Sequence, residues 1–333
     1  MKTETTPEEA RADLPIHSVA VIGAGSIGIA WSIVFACAGI NVRICELDDT
    51  RRDSALASAE SLLSEMEGAG LLSQATAGIL ERMSVWEELS DAVSGVGYVQ
   101  ECVVEDVDVK RELFRQLDQL TPHDVVLASS TSTIPSSKFA SDLPGRARCL
   151  VVHPANPPYF LRVAEVVPAE FTSPTAVATT VSILKRAQIF SVHLNSEIEG
   201  FALNRLQGAL LREAYCLVQD GVISAVDVDT LVREGLGRRW SVIGPFTTSE
   251  LNTRGGLRQH SEVLGPVYAR LGLERGHENP WTPDTINTVA KAIEQNLPFA
   301  SWEENVRQRD HAMIQIASRL KGFDNPLVQC ESE

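Results

Sequence analysis

From Ser18 onward the chain alternates short, almost unbroken apolar runs with longer stretches in which apolar residues recur every third or fourth position. The runs SVAVIG, NVRICEL, YVQECV (98–103), VVLASS (125–130), RCLVVH (148–153), VAEVVP (163–168) and IFSVHLN (189–195) have strand length and are rich in β-branched residues. Between them, AWSIVFACAG and the stretch from Asp49 to about Met83 carry helical spacing. Such alternation predicts parallel strands joined by crossover helices.

After Ser196 the strand pattern stops and the rest reads as helices. FALNRLQGALLREAYCLVQDG ends at Gly221, a residue suited to a helix stop, and SAVDVDTLVREGLG opens with Ser224, suited to an N-cap. A last helix is expected over about 302–320. The expected fold is therefore α/β, a Rossmann-type, mostly parallel sheet over residues 17–196 followed by an all-helical domain over 197–325. The polar, acidic MKTETTPEEARADLP lacks the apolar core of a secretory signal, so residues 1–16 are expected to form a disordered leader, and 326–333 a short tail.

Length and charge narrow the function. A chain of 333 residues exceeds the size at which one core stops growing, in keeping with two domains. The net charge of -15, with basic residues scattered among acids, argues against nucleic acid and against an anionic membrane surface. No apolar run approaches the roughly 20 residues of a membrane span. The six cysteines (Cys37, Cys45, Cys102, Cys149, Cys216, Cys330) show no paired spacing and sit mostly in apolar runs, which points to free thiols and a reducing, cytosolic compartment.

The turn after the first run reads VAVIGAGSIGIAWSIVFACAG, with Gly23, Gly25 and Gly28 in G-x-G-x-x-G spacing. That spacing alone is common, but here it lies between a strand run and a helix. Gly23 then permits the tight turn, Gly25 lets the backbone approach a pyrophosphate, and Gly28 lets helix and strand pack closely. The helix N-terminus adds amide donors, so Gly23, Gly25, Ser26, Ile27 and Gly28 form a candidate dinucleotide phosphate site. A strand-to-helix turn with no ligand is the alternative. Glu46 ends the next run, eighteen residues after Gly28. A carboxylate there accepts from both ribose hydroxyls and repels a 2'-phosphate, which selects NAD over NADP. Arg51 and Arg52 lie beyond Asp48 and Asp49 and do not outweigh it.

Oxidising an alcohol with a nicotinamide requires a base for the hydroxyl proton, and a histidine oriented by a carboxylate suits the task. His153 ends a strand run, at the edge where open α/β sheets bind ligands, and Glu165 lies in the next run. If Asn156–Pro158 turns the chain back, the two become neighbours. The other six histidines (His17, His123, His193, His260, His277, His311) fall on no motif. No metal is expected.

GAGSIG, QECVVEDVDVKRELF, ASSTST, HPANPP followed by AEVV, and GFALNRL together resemble the L-3-hydroxyacyl-CoA dehydrogenase superfamily, most nearly its lambda-crystallin and L-gulonate 3-dehydrogenase branch, over about residues 17–320. The resemblance implies NAD-dependent oxidation of a 3-hydroxyl to a 3-keto group. It places the acid-base pair on His153 and Glu165, the substrate-hydroxyl contact on Ser132 and the asparagine of G-F-x-x-N-R on Asn204. It also makes Asn156 a substrate contact and puts Glu105 and Lys110 around the nicotinamide ribose. Locally, Ser132 also reads as a helix cap, Asn204 as a cap or domain contact, and Glu105 with Lys110 as an exposed ion pair. The resemblance further implies a homodimer formed through the helical domain.

Two departures bear on the substrate. The thioester enzymes of the superfamily hold CoA partly through a lysine-containing helical arm after the second strand, whereas residues 46–97 here contain no lysine. The helical half offers instead GLGRRWSVIGPFTTSELN, where Arg238 and Arg239 are expected in a loop before Gly244-Pro245. The lambda branch has an arginine at the position of Arg239, and a guanidinium binds a carboxylate through two parallel hydrogen bonds. Arg239 is therefore the candidate clamp for the carboxylate of a small hydroxy acid resembling L-gulonate, with Arg238 facing solvent. Three alternatives stay open: a 3-hydroxyacyl-CoA dehydrogenase, a carnitine dehydrogenase using Tyr159, Phe160 and Trp240 around a quaternary ammonium, and a non-catalytic NAD-binding structural protein. The intact His153, Glu165, Ser132 and Asn204 count against the last.

Overall fold

The structure is a computed structural model that describes residues 16–275, 281–295 and 298–320. The expected leader (except its last residue) and the expected tail lie outside these residues, as do His277 and Cys330. Eight strands form one sheet: β1 (Ser18–Ile22), β2 (Asn41–Cys45), β3 (Met83–Trp86), β4 (Tyr98–Glu101), β5 (Val126–Ser129), β6 (Cys149–Pro154), β7 (Val163–Pro168) and β8 (Phe190–His193). Their order is β3-β2-β1-β4-β5-β6-β7-β8, and every neighbouring pair is parallel except β6 and β7. The expected Rossmann-type, mostly parallel sheet is what forms. The strand order reverses between β1 and β4, which opens a crevice at the carboxyl edge.

Helices cover both faces. On one lie α1 (Ser26–Cys37), α2 (Asp49–Gly68) and the short α3 (Thr76–Leu80); on the other lie α4 (Leu89–Val93), α5 (Val107–Leu120) and α6 (Ser137–Ala140). A seventh helix, α7 (Pro174–Arg186), joins the first face through Ile183 and Leu184. Trp31 and Phe35 of α1 stack at 5.2 Å between ring centroids, and both are completely buried. Across the sheet Phe114 packs on Phe139 at 4.6 Å. Each such side chain contributes about 1.5–3 kcal/mol by leaving water, and this double cover explains why β1 and β5 are almost wholly apolar and why all four residues of β4 are buried.

One strand was not expected. The helical stretch read up to Met83 is instead α2, α3 and then β3, whose MSVW sits half-exposed at the sheet edge and is only four residues long.

The chain divides into two compact units between Arg205 and Leu206, and His311–Arg319 belongs with the first. Within that unit Ile314 is fully buried in the core, His311 Nδ1 lies 2.8 Å from Glu65 Oε1, and Ser318 donates to the Ala69 carbonyl. After the strands the described chain is helical: α8 (Phe201–Gln219), α9 (Ala225–Thr230), a π-helical stretch (Leu231–Gly237), α10 (Arg238–Trp240), α11 (Pro245–Asn252), α12 (Gly256–Arg275), α13 (Pro283–Glu294) and α14 (Trp302–Leu320). Ser224 caps α9 by accepting from Asp227 N, and Thr282 caps α13 by accepting from Thr285 N. Gly221, at φ +69°, follows the end of α8 as a stop residue should. No described helix is long and apolar enough to cross a membrane.

Candidate active site

The glycine turn is built as its spacing requires. Gly23 has φ +105°, and a Cβ there would lie 2.8 Å from the Cys102 carbonyl oxygen. A Cβ on Gly28 would meet the Gly23 carbonyl oxygen at 1.8 Å, so no other residue fits. Around Gly25, by contrast, no atom comes within 4 Å of such a Cβ, which leaves its open side for a ligand. Gly25 precedes α1 without a side-chain cap, Ser26 is exposed and Ile27 half-buried, so the first-turn amides of a twelve-residue helix face outward with their partial positive charge.

Glu46, at the end of β2, is nearly buried and accepts from Ala24 N at 2.8 Å and from Asp48 N at 3.0 Å. Arg51 Nε stands 3.6 Å from it, while Arg52 is held by Asp49 and by the carbonyls of Glu46 and Leu47. A cavity of about 980 Å³ runs from Gly23 and Gly25 past Glu46 to Val103 and Val109. Its apolar lining, the Glu46 carboxylate and an uncapped helix end fit the adenosine and pyrophosphate of a dinucleotide, while Asp48, Asp108 and Glu112 also line it.

His153 and Glu165 face each other directly across the antiparallel β6–β7 pair. His153 Nδ1 lies 2.8 Å from Glu165 Oε2, and both residues are buried. Glu165 Oε1 accepts from the amides of Ala202 and Leu203, at 2.7 and 2.9 Å. These belong to the first turn of α8, where amide donors without intrahelical partners meet a carboxylate oxygen. The turn is aimed by two consecutive residues in the left-handed region, Gly200 (φ +75°) and Phe201 (φ +49°). Phe201 is costly in that conformation, by about 1–3 kcal/mol. Its buried ring lies 5.6 Å from the imidazole. Sequence reasoning missed these amides; the signal available was a helix start, EGFALN, with no Ser, Thr, Asp or Asn just before it.

Ser132 follows β5, whose Ser129 is in register with Val151 of β6, so Ser132 and His153 leave neighbouring strands at the same edge. Glu105 Oε1 accepts from Thr131 Oγ1 (2.6 Å), Ser132 N (2.9 Å), Thr133 N (3.1 Å) and, more weakly, Ser132 Oγ (3.2 Å). Desolvation pushes the Glu105 carboxyl up, but the Thr131 hydroxyl, the Lys110 charge and the two amides together hold it below the usual range. Asn204 Nδ2 donates to the Ser132 carbonyl at 2.7 Å. Residues 202–204 therefore tie the Ser132 loop to the His153–Glu165 pair through one turn of helix.

Three readings change. Lys110 is no exposed ion-pair partner: its ammonium is buried, 2.8 Å from Glu101 Oε1 and 3.4 Å from Glu105 Oε2. Glu101, unnoticed in the sequence, is an acid inside an apolar strand run, which was the signal. Second, Asn204 reaches a backbone carbonyl and not a side chain of the pair. Third, Arg238 and Arg239 lie in helix, because the chain continues from α9 without a break through the π-helical stretch into α10. Arg238 pairs with Glu234 one turn earlier. Arg239 is exposed, and its side chain has no hydrogen bond or ion pair among the described residues. Asn156 lies exposed just beyond β6. The described residues contain no cluster of three or more metal-ligating side chains.

Comparison with known proteins gives a consistent assignment. The family model of the 3-hydroxyacyl-CoA dehydrogenase NAD binding domain matches residues 18–197, and that of the 3-hydroxyacyl-CoA dehydrogenase C-terminal domain matches 200–291. A lambda-crystallin homolog of Bos taurus is 38% identical over 275 residues, 78% of this chain and 85% of its own. An L-carnitine dehydrogenase of Streptomyces coelicolor is 31% identical over 94% of this chain and 95% of its own. Among solved structures, 5-formyl-3-hydroxy-2-methylpyridine 4-carboxylic acid 5-dehydrogenase, an NAD-dependent dismutase, superposes with a TM-score of 0.77 at 27% identity, covering 92% of this chain and 99% of that one.

Proposed function

We propose that this chain, which belongs to the 3-hydroxyacyl-CoA dehydrogenase family and is an NAD-dependent oxidoreductase acting on CH–OH groups, oxidises the 3-hydroxyl of a small free hydroxy acid of the L-gulonate kind to the 3-keto acid. The observation that carries the reading is the His153–Glu165 pair, with its outer carboxylate oxygen fixed by two helix amides. In that geometry Nδ1 carries a proton toward Glu165, and Nε2, which has no hydrogen-bond partner among the described residues, is left as the base. His153 takes the hydroxyl proton at Nε2, and Glu165 stabilises the imidazolium that results. Ser132 orients the substrate oxygen, and Asn204 holds the Ser132 loop in place, with Asn156 at the rim. NAD, when bound, supplies the hydride acceptor. Gly23, Gly25, Ser26, Ile27 and Gly28 would hold its pyrophosphate, Glu46 its adenosine ribose, and Glu105 with Lys110 its nicotinamide ribose.

Three observations favour a free acid over a thioester or a quaternary ammonium. The α2 arm carries acids along its length, and its only cations, Arg51 and Arg52, stand beside Glu46, Asp48 and Asp49. Arg239 keeps an unengaged guanidinium for a carboxylate. Tyr159 is buried in the core against Phe160, which removes one wall of an aromatic cage. Large apolar side chains stay exposed across the second unit, among them Phe246 (77%) and Leu273 (80%), which supports a homodimer closed through the helical region, 197–325. The cysteines among the described residues are free, in keeping with the cytoplasm.

The test is NADH formation at alkaline pH with L-gulonate, L-3-hydroxybutyrate, L-carnitine and 3-hydroxybutyryl-CoA. The expected result is turnover of the free hydroxy acids, L-gulonate foremost. Turnover of the thioester alone would overturn the reading, and NADH binding without turnover of any of them would favour the structural protein.

A further inference from the structure

Beside the site, the catalytic scheme leaves a buried charge without a task. Glu101 ends β4, is completely buried, and sits in register with Ile22 of β1 on one side and Ser129 of β5 on the other. The glycine turn leaves the sheet just after Ile22, and the Ser132 loop just after Ser129. A carboxylate in such a place is costly unless it is paired. This one is paired three ways, with Lys110 Nζ at 2.8 Å, Ser129 Oγ at 2.5 Å and Val103 N at 2.7 Å. Burial pushes its carboxyl up, and the Lys110 charge with these hydrogen bonds opposes that.

Lysine has a flexible stem and a point charge, so its ammonium goes where its acceptors fix it. Here Glu101 fixes it, and the same ammonium reaches Glu105 Oε2 at 3.4 Å. The other oxygen of Glu105 gathers the hydroxyl of Thr131 and the amides of Ser132 and Thr133. We propose that Glu101 is a positioning residue that acts through Lys110 to set the place of Glu105, and with it the loop that presents Ser132. The claim rests on reading Ser132 as the contact to the substrate hydroxyl. Glu101 touches no reacting atom; it is the buried end of a relay of fixed charges, Glu101–Lys110–Glu105, whose outer end is the loop. A purely structural Glu101 would matter for stability and leave turnover per folded molecule unchanged.

Glu101→Gln keeps the shape and removes the charge. It should lower kcat at least about tenfold on whichever substrate turns over, since a displacement near 1 Å is enough for that. Fluorescence titration should find NADH weakened by less than kcat falls, about threefold, because Glu105 and Lys110 are read as holding the nicotinamide ribose while the adenosine end keeps its contacts. On a Lys110→Met background, Glu101→Gln should cost nothing further, since the relay is already cut. Ser129→Ala serves if Glu101→Gln fails to fold: it removes one donor and no charge, and should lower kcat about threefold, an effect that also vanishes with Lys110→Met. Wild-type kcat in both variants would overturn the proposal. So would an equal loss with and without Lys110, or a crystal structure of either variant with the 131–133 hydrogen bonds to Glu105 intact. Failure of the substrate reading is separate: it appears as Ser132→Ala turning over like wild type, or as activity on the thioester alone, and the Glu101–Lys110 coupling is then read on that substrate.

Discussion

The two compact units differ in how far each seals itself. In the first, Val19, Val21, Trp31, Phe35, Leu127 and Val152 are fully buried, and the core continues on both faces of the sheet. In the second, Leu206, Val222, Leu231, Phe246, Leu251 and Leu273 are more than half exposed, while few residues there, among them Cys216 and Ala225, are buried. A monomer rarely presents so much scattered apolar side chain over one helical unit. The first unit thus closes its own core, whereas the second, among its described residues, leaves large apolar side chains in solvent. Under the proposed function, catalysis is read in the first unit, and carboxylate binding and assembly in the second.

The largest effect should come from the chemistry of the first unit. His153→Gln should lower kcat about a thousandfold, within the range for a general base, with NADH affinity and oligomeric state unchanged. A loss below tenfold would place the base elsewhere and undo the assignment. In the same unit, Gly28→Ala forces a Cβ against the Gly23 carbonyl. It should weaken NADH at least about tenfold and cost about 1–3 kcal/mol in stability, read by fluorescence titration and thermal melting.

The second unit is tested by separating its two duties. Arg239→Met should raise KM for the hydroxy acid about 10- to 100-fold, the worth of a charge-assisted hydrogen bond. NADH affinity should not move; equal effects on both would remove Arg239 as the carboxylate clamp. Leu273→Glu places a charge on the exposed apolar surface and should shift sedimentation from dimer to monomer while NADH affinity stays within about twofold. A wild-type chain that sediments as a monomer would remove the contrast itself.

Much of the first unit was legible because seven of its eight strands are short β-branched or aromatic runs flanked by turn or helix patterns, even β8, which is exposed at the other edge. The exception, β3, is only four residues long and follows α2 and α3 directly, so its MSVW merges with the helical pattern before it. Gly23 and Gly28 were legible because steric exclusion leaves glycine no substitute, and Gly25 because the spacing of the turn marks it. His153 and Glu165 were legible as residue types, but their separation of twelve became a contact only through the β6–β7 register, which no spacing encodes. The amides of Ala202 and Leu203 were invisible in principle, since backbone donors have no letter. Arg238 and Arg239 were misread as loop because Gly235 and Gly237 suggest a break, and the chain absorbs both glycines in a wider helical turn.

The smallest effect tests how well the first unit is sealed. Burial pushes the Cys149 thiol up to about 12 and the Cys45 thiol up to about 11. A raised thiol pKa keeps the sulfur protonated to higher pH, and the thiolate is the species that reacts. At pH 9 an ordinary thiol is mostly thiolate, whereas Cys45 would be about one hundredth ionised and Cys149 about one thousandth. Iodoacetamide at pH 9 should therefore leave both unlabelled by peptide mass mapping, with activity within about twofold of the untreated enzyme, until denaturant opens the sheet. Rapid labelling of Cys149 in the native protein would mean that β5 and β6 part readily. The self-sealed half of the comparison would then fail at the strand that carries His153.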